Sequence, residues 1–126
     1  GYRTMAYCDR MDLAFAAADL VLCRAGSATV SELAALGLPS VLVPYAAGNG
    51  EQRLNARELV VAGAAVLVPD AQLTPDWVAR ELVPLLGRRG EIARMAAAAA
   101  SVGRRDGDAA LLALVHESLA SSTRLG

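Results

Sequence analysis

Residues 18–44, ADLVLCRAGSATVSELAALGLPSVLVP, decide the fold. A short apolar run, Leu20-Val21-Leu22-Cys23, is bounded by Asp19 before it and Arg24-Ala25-Gly26 after it. A helical pattern follows, with Val30, Leu33, Ala34 and Leu36 on one side, and Gly37 and Pro39 stop it. A second apolar run, Ser40-Val41-Leu42-Val43, ends at Pro44. Two short apolar runs joined by a helix read as a βαβ unit of a buried parallel sheet. The turn bearing Gly26, Ser27 and Thr29 lies where strand gives way to helix. The first helical amides have no internal partners there and the helix dipole is positive, so such an end binds anions, phosphates above all. Glu32 follows one turn later.

Outward from this unit the chain keeps one rhythm. Residues 3–7 (RTMAY) are expected to form a strand, and residues 11–18 a short helix with Asp9 or Asp12 near its start. After the βαβ unit, residues 45–50 (YAAGNG) form a loop and residues 51–62 (EQRLNARELVVA) a helix offering Leu54, Leu59 and Val61 for packing. Gly63 stops that helix, and residues 64–68 make another apolar strand. Thr74-Pro75 opens a helix through Leu86, with Trp77, Val78, Leu82 and Val83 turned to a core and Pro84 bending or shortening it. Two further helices are predicted, over residues 90–102 and 108–120. The pattern βαβαβαβ plus terminal helices implies an α/β, partial Rossmann-like parallel sheet with flanking helices. Four short strands want both faces covered, and the first has nothing before it. The chain is therefore expected to be the later part of a larger domain, with an exposed sheet edge open to self-association.

Composition narrows the function classes. A chain of 126 residues holds one modest domain, and a formal net charge of -1 gives no reason to expect nucleic acid as a partner. All 12 basic residues are Arg. Apolar residues make up 55% but are interrupted well before the roughly 18 needed to span a membrane. Cys8 and Cys23 lack a CxxC spacing and read as free thiols. No metal-ligand cluster and no cofactor motif is present, and the single histidine, His116, reads as a surface or packing residue.

A parallel sheet puts ligands in the loops after its carboxyl ends. The loop at residues 24–29 offers phosphate amides, with Glu32 as an acceptor for hydroxyls, and the loop at 44–52 delivers Glu51 and Gln52 at a helix start. Loops at 7–11 and 69–74 complete the rim. Carboxylates and an amide around an anion-binding turn suit a sugar nucleotide. Plainer readings stand beside this one. Thr29 to Glu32 has the capping-box spacing, on which Glu32 only closes the helix. Gly26 and Gly37 read equally as turn and C-cap glycines, and Glu51 as a favourable acidic first-turn residue. Arg24 is either a phosphate contact or the ion-pair partner of Asp9, Asp12 or Asp19.

The run from YCDRMDLAFAAADLVLCRAGS through GNGEQRLNARELVVAGAAVLV closely resembles the C-terminal domain of the MurG family. These are the UDP-N-acetylglucosamine:N-acetylmuramyl-(pentapeptide) pyrophosphoryl-undecaprenol N-acetylglucosamine transferases, within the two-domain GT-B glycosyltransferases. The resemblance is strong over residues 2–68 and looser beyond. It implies that Glu32 accepts from the ribose hydroxyls of UDP, while Ala28 and Thr29, at the helix start, make backbone contacts near the diphosphate, in keeping with the phosphate reading of Gly26 and Ser27 in the same turn. It matches Glu51 and Gln52 to paired glutamines on the N-acetylglucosamine hydroxyls, Glu51 departing from that pair. Tyr7 matches an aromatic against uracil, Cys8 a backbone contact to the uracil edge, and Met11 a residue of the loop over the donor.

On the resemblance, residues 1–126 are a piece of the UDP-sugar-binding domain. The acceptor domain, the glycine-rich loop that opens this domain and the proposed base would then lie outside the chain, leaving no catalytic residue in it. The full enzyme would be a hexosyltransferase of peptidoglycan synthesis. It would be cytoplasmic and peripheral on the inner face of the membrane, taking a lipid-linked acceptor through its other domain, and the chain alone is expected to be inactive. The alternatives are the donor domain of another UDP-sugar GT-B transferase and a non-catalytic nucleotide-binding module.

Overall fold

The computed structural model describes residues 2–46 and 50–125, with side chains described through residue 120. In chain order the elements are α1 (Met11–Ala17), β1 (Val21–Cys23), α2 (Ser27–Leu36), β2 (Ser40–Leu42), α3 (Glu51–Val61) and β3 (Ala65–Leu67). A 3-10 turn (Asp70–Gln72) then leads into α4 (Pro75–Trp77), a π-helical turn (Val78–Leu82), α5 (Val83–Gly87) and α6 (Arg89–Leu125). The strands lie in the order β1-β2-β3, all parallel, with Val41 level with Leu22 and Val66. This is the α/β arrangement expected from residues 18–44.

Side chains of a strand alternate between the two faces of a sheet, and β2 shows it. Leu42 packs on one face with Leu33, Ala34, Ala56, Leu59 and Val102. Val41 and Val43 pack on the other with Val68, Leu85 and Met95, backed by Trp77, Leu82 and Ile92. Both faces of the central strand are therefore covered, which is why Ser40, Val41 and Leu42 are all fully buried.

Several expectations are corrected. Residues 3–7 form no strand. They lie exposed, with no apolar side against the core and no ladder partner, so water takes their backbone groups. Among the described residues the sheet has three strands. In α2, Leu33 and Ala34 face the core while Leu36 is exposed. In α3 the inward residues are Ala56 and Leu59, and Leu54 and Val61 face solvent. Val83 is exposed as well. The π turn falls immediately before α5, whose Pro84 has no N–H to continue the ladder.

The two terminal helices are one. α6 runs 37 residues without a break at Gly103 or Gly107. Its first half packs on α2 through Ala99 and Val102, while Met95 turns to the Val41 and Val43 side of the sheet. A Cβ at Gly103 would run into the Ala34 carbonyl, so glycine there is a close-packing residue rather than a helix stop. From residue 104 to 120 every side chain is exposed, His116 among them.

The predicted stop signals do act at two other helix ends. Gly37 and Gly63 adopt the left-handed conformation at φ 64° and 81°, and Gly37 N–H closes α2 onto Ala34 O at 3.1 Å.

Candidate functional site

Because the strands are parallel, the loops after β1, β2 and β3 leave the same edge of the sheet. The loop after β1 turns directly into α2. Gly26, extended at φ -64° and ψ 148°, is the N-cap, and its carbonyl takes the first helical bond from Val30 N–H at 2.9 Å. Ser27, Ala28 and Thr29 are thus the first three helical residues, whose N–H groups have no partner inside the helix. No side chain caps them, and the first turn carries no acidic residue. The positive end of the dipole is left without a charge of the chain's own.

This overturns the capping-box reading of Glu32. A capping box needs its Ser or Thr at the N-cap and its Glu three residues later. Here the N-cap is Gly26, so Glu32 is the sixth helical residue and too far along to close the end. It is exposed, and among the described residues no hydrogen bond or ion pair engages it.

The loop after β2 reaches α3 through Gly50, whose left-handed φ of 76° only glycine adopts without strain. Gly48 and Asn49 lie outside the described residues. Glu51 opens α3, exposed, where an acidic residue favours the dipole. Gln52 is half-buried and fixed, because Tyr45 N–H donates to its Oε1 at 2.9 Å. Its Oε1 is taken by the protein, leaving the amide Nε2 to donate elsewhere.

Two side chains lock these loops together. Asn55 of α3 donates from Nδ2 to Ala25 O at 3.1 Å, tying the second loop to the turn that starts α2. Arg24 reaches further. Its Nη1 pairs with Asp70 Oδ1 at 2.5 Å and approaches Val43 O at 3.4 Å, and its guanidinium lies 4.4 Å from the centre of the Tyr45 ring. The expected pairing with Asp9, Asp12 or Asp19 is not formed. Asp12 takes Arg10 instead, at 2.8 Å, which holds its carboxyl below the usual range.

Sequence reasoning gave no role to Asn55, Tyr45 or Asp70. Asn55 was in view inside EQRLNA, but an amide-to-carbonyl bond across 30 residues leaves no local pattern.

Of the predicted residues, Gly26, Ser27, Ala28 and Thr29 come together at one helix end, and Asn55 holds the start of α3, with Glu51 and Gln52, beside it. Tyr7 is exposed, Cys8 half-buried and Met11 exposed at the start of α1. Among the described residues no hydrogen bond or ion pair joins these three to the α2 turn. Cys8 and Cys23 are free thiols, and burial pushes Cys23 above the ordinary thiol range. Among the described residues no group of three His, Cys, Asp or Glu side chains could hold a metal.

A concavity of about 690 Å³ lies at the opposite edge, lined by Phe15, Leu20, Leu36, Gly37 and Pro39. These residues precede the strands, and ligands of parallel sheets bind beyond the carboxyl ends.

Comparison with known proteins settles the family. The Glycosyltransferase family 28 C-terminal domain matches residues 1–111. The chain belongs to that family. It is 51% identical to a Streptomyces coelicolor relative over 123 residues, 98% of this chain and 34% of that protein. A Clavibacter sepedonicus relative is 54% identical over 95% of the chain and 33% of its own length. Both carry the name UDP-N-acetylglucosamine--N-acetylmuramyl-(pentapeptide) pyrophosphoryl-undecaprenol N-acetylglucosamine transferase. The crystal structure of Acinetobacter baumannii MurG superposes with a TM-score of 0.69 at 34% identity, covering 77% of this chain and 29% of that one. The three parallel strands with flanking helices fit the GT-B class of this glycosyltransferase family. The chain spans about a third of the length of the curated relatives it matches.

Proposed function

We propose that the chain is the donor-binding part of an inverting glycosyltransferase of peptidoglycan synthesis, holding UDP-N-acetylglucosamine at the carboxyl edge of the sheet. What supports this reading is the start of α2: uncapped amides at Ser27, Ala28 and Thr29, with no acidic residue in the first turn and the unengaged Glu32 further along the same helix. The amides take the diphosphate without a metal, as helix ends do. Glu32 accepts from the ribose hydroxyls. Gln52, its carbonyl already held by Tyr45, donates from Nε2 to the sugar. Glu51 accepts there but cannot donate. Tyr7 and Cys8 meet the uracil and Met11 lies over the donor.

The residues present fit the leaving group rather than the acceptor. Charge grows on UDP as the glycosidic bond breaks, and a positively polarised helix end lowers the barrier by stabilising that charge. The base that takes the acceptor hydroxyl proton, and the surface that meets a lipid-linked acceptor, belong to a partner domain in this reading. Among the described residues no helix is long and apolar enough to cross a membrane. In this reading the whole enzyme is cytoplasmic and lies on the inner face of the membrane.

Titration of UDP-N-acetylglucosamine and UDP-glucose into the chain tests the donor. Saturable binding that favours the N-acetylated sugar is expected. Equal binding would point to a different UDP-sugar transferase, and binding of neither would remove the donor site. No transfer by the 126-residue chain alone is expected, and measurable turnover would refute the division of labour.

A further inference from the structure

The proposed donor site leaves Arg24 without a role, although it makes more contacts between loops than any predicted site residue. It stands at the end of β1 and grips the loop after β2 on both sides of buried Pro44, through Val43 O at 3.4 Å and the Tyr45 ring at 4.4 Å. The same Nη1 takes Asp70 Oδ1 of the loop after β3 at 2.5 Å. One guanidinium therefore bridges all three loops that follow the strands. A planar fork can pair and stack at once, which a lysine ammonium cannot do in the same geometry.

The residue it fixes matters. Tyr45 carries Arg24 on its ring, and its own backbone N–H orients Gln52 at 2.9 Å. The chain of contact runs Asp70, Arg24, Tyr45, Gln52. Resting on the donor-site reading above, we propose that Arg24 and Asp70 are positioning residues for the sugar end of the donor: they set the place of Tyr45, and through it the amide of Gln52. Arg24 is not a phosphate ligand in this arrangement, because its guanidinium is already committed to the loops.

The pair itself is half-exposed, with side-chain exposures of 42% and 44%, so it contributes little to stability. That makes the test clean. UDP lacks the sugar that Gln52 meets, whereas UDP-N-acetylglucosamine carries it. Arg24→Gln and Asp70→Asn are expected to weaken UDP-N-acetylglucosamine about tenfold, the value of one well-placed hydrogen bond to a ligand, while UDP binding changes less than twofold. Exchange of the Tyr45 amide proton should quicken in both variants, with melting temperatures within a degree or two of the parent. If Arg24→Gln does not fold, Asp70→Asn carries the test alone.

Equal weakening of both ligands would make Arg24 a diphosphate contact and overturn the proposal. So would no change in either ligand, or an unchanged Tyr45 exchange rate. Failure of the donor site is separable. It would appear as UDP binding that survives Glu32→Ala, whatever happens at Arg24.

Discussion

Gly103 and Gly107 sit four residues apart in one uninterrupted helix, and alanine should act oppositely at the two. In a helix interior Gly→Ala favours folding by roughly 0.5–1 kcal/mol through unfolded-chain entropy. At Gly107 nothing lies within 4 Å of the new Cβ, so that gain is realised. At Gly103 the Cβ meets the carbonyl of Ala34, and the obstacle is backbone. Relief requires α2 and α6 to separate where Leu33, Ala34, Ala99 and Val102 are buried. Overpacking a close-fitted core costs about 1–3 kcal/mol, and more when backbone must move. Subtracting the propensity gain leaves Gly103→Ala destabilised by about 0.5–2 kcal/mol net. At about 4 °C per kcal/mol for a domain of this size, the two variants should melt on opposite sides of the parent, about 4–12 °C apart. Urea unfolding monitored by circular dichroism, with unchanged m-values, checks the free energies. A Gly103→Ala variant as stable as Gly107→Ala would refute the close contact and the packing of α6 on α2.

Two further predictions concern buried groups. Ser40 is fully buried with its Oγ unpartnered, so Ser40→Ala should stabilise by about 1 kcal/mol, read as a raised urea midpoint; a loss of stability would mean that the hydroxyl has a partner. Cys23 has its pKa raised by burial, so the folded state holds the thiol proton more tightly than the unfolded chain. Its contribution is complete below the ordinary thiol value of about 8.5 and is lost as pH rises through the folded value. The denaturation midpoint should fall above that pH, and Cys23→Ala should remove the fall; an equal fall in both would exclude the thiol as its cause. The raised value also predicts slow alkylation of Cys23 at pH 8 relative to a small-molecule thiol, followed by mass spectrometry.

The parts of the fold legible in the sequence were those with a local cause. The run from Leu20 to Val43 carries its own period, stop glycine and second strand, and β1, α2 and β2 form there. Residues 3–7 have strand composition but no neighbour to pair with, and composition alone cannot supply a ladder. The gap expected between residues 102 and 108 spans Gly103 and Gly107, where the helix in fact continues; the reason for glycine at 103 lies 69 positions away, at Ala34. In α3 the inward face fell to Ala56 and Leu59 because β2 and α2 meet it there, which periodicity could not distinguish from Leu54 and Val61.

The candidate site divides the same way. A helix end after a glycine turn is readable from CRAGS, and so is an acidic residue beyond it. The capping-box spacing at Thr29 left two readings of Glu32 open, and a helix that begins two residues earlier, at Ser27, removes the cap. The bonds that assemble the rim, Asn55 to Ala25 and Arg24 to Asp70, join residues 30 and 46 positions apart, and the tertiary fold alone brings them together.

The most direct measurement is calorimetric titration of UDP into the chain and into Glu32→Ala, with a thermal melt of each. Losing a carboxylate that accepts from ribose hydroxyls removes about 1.5–3 kcal/mol of binding. UDP should therefore bind the variant at least tenfold more weakly, while the exposed position leaves the melting temperature unchanged. Undiminished UDP affinity, or a lowered melting temperature with affinity intact, would contradict a nucleotide at the start of α2.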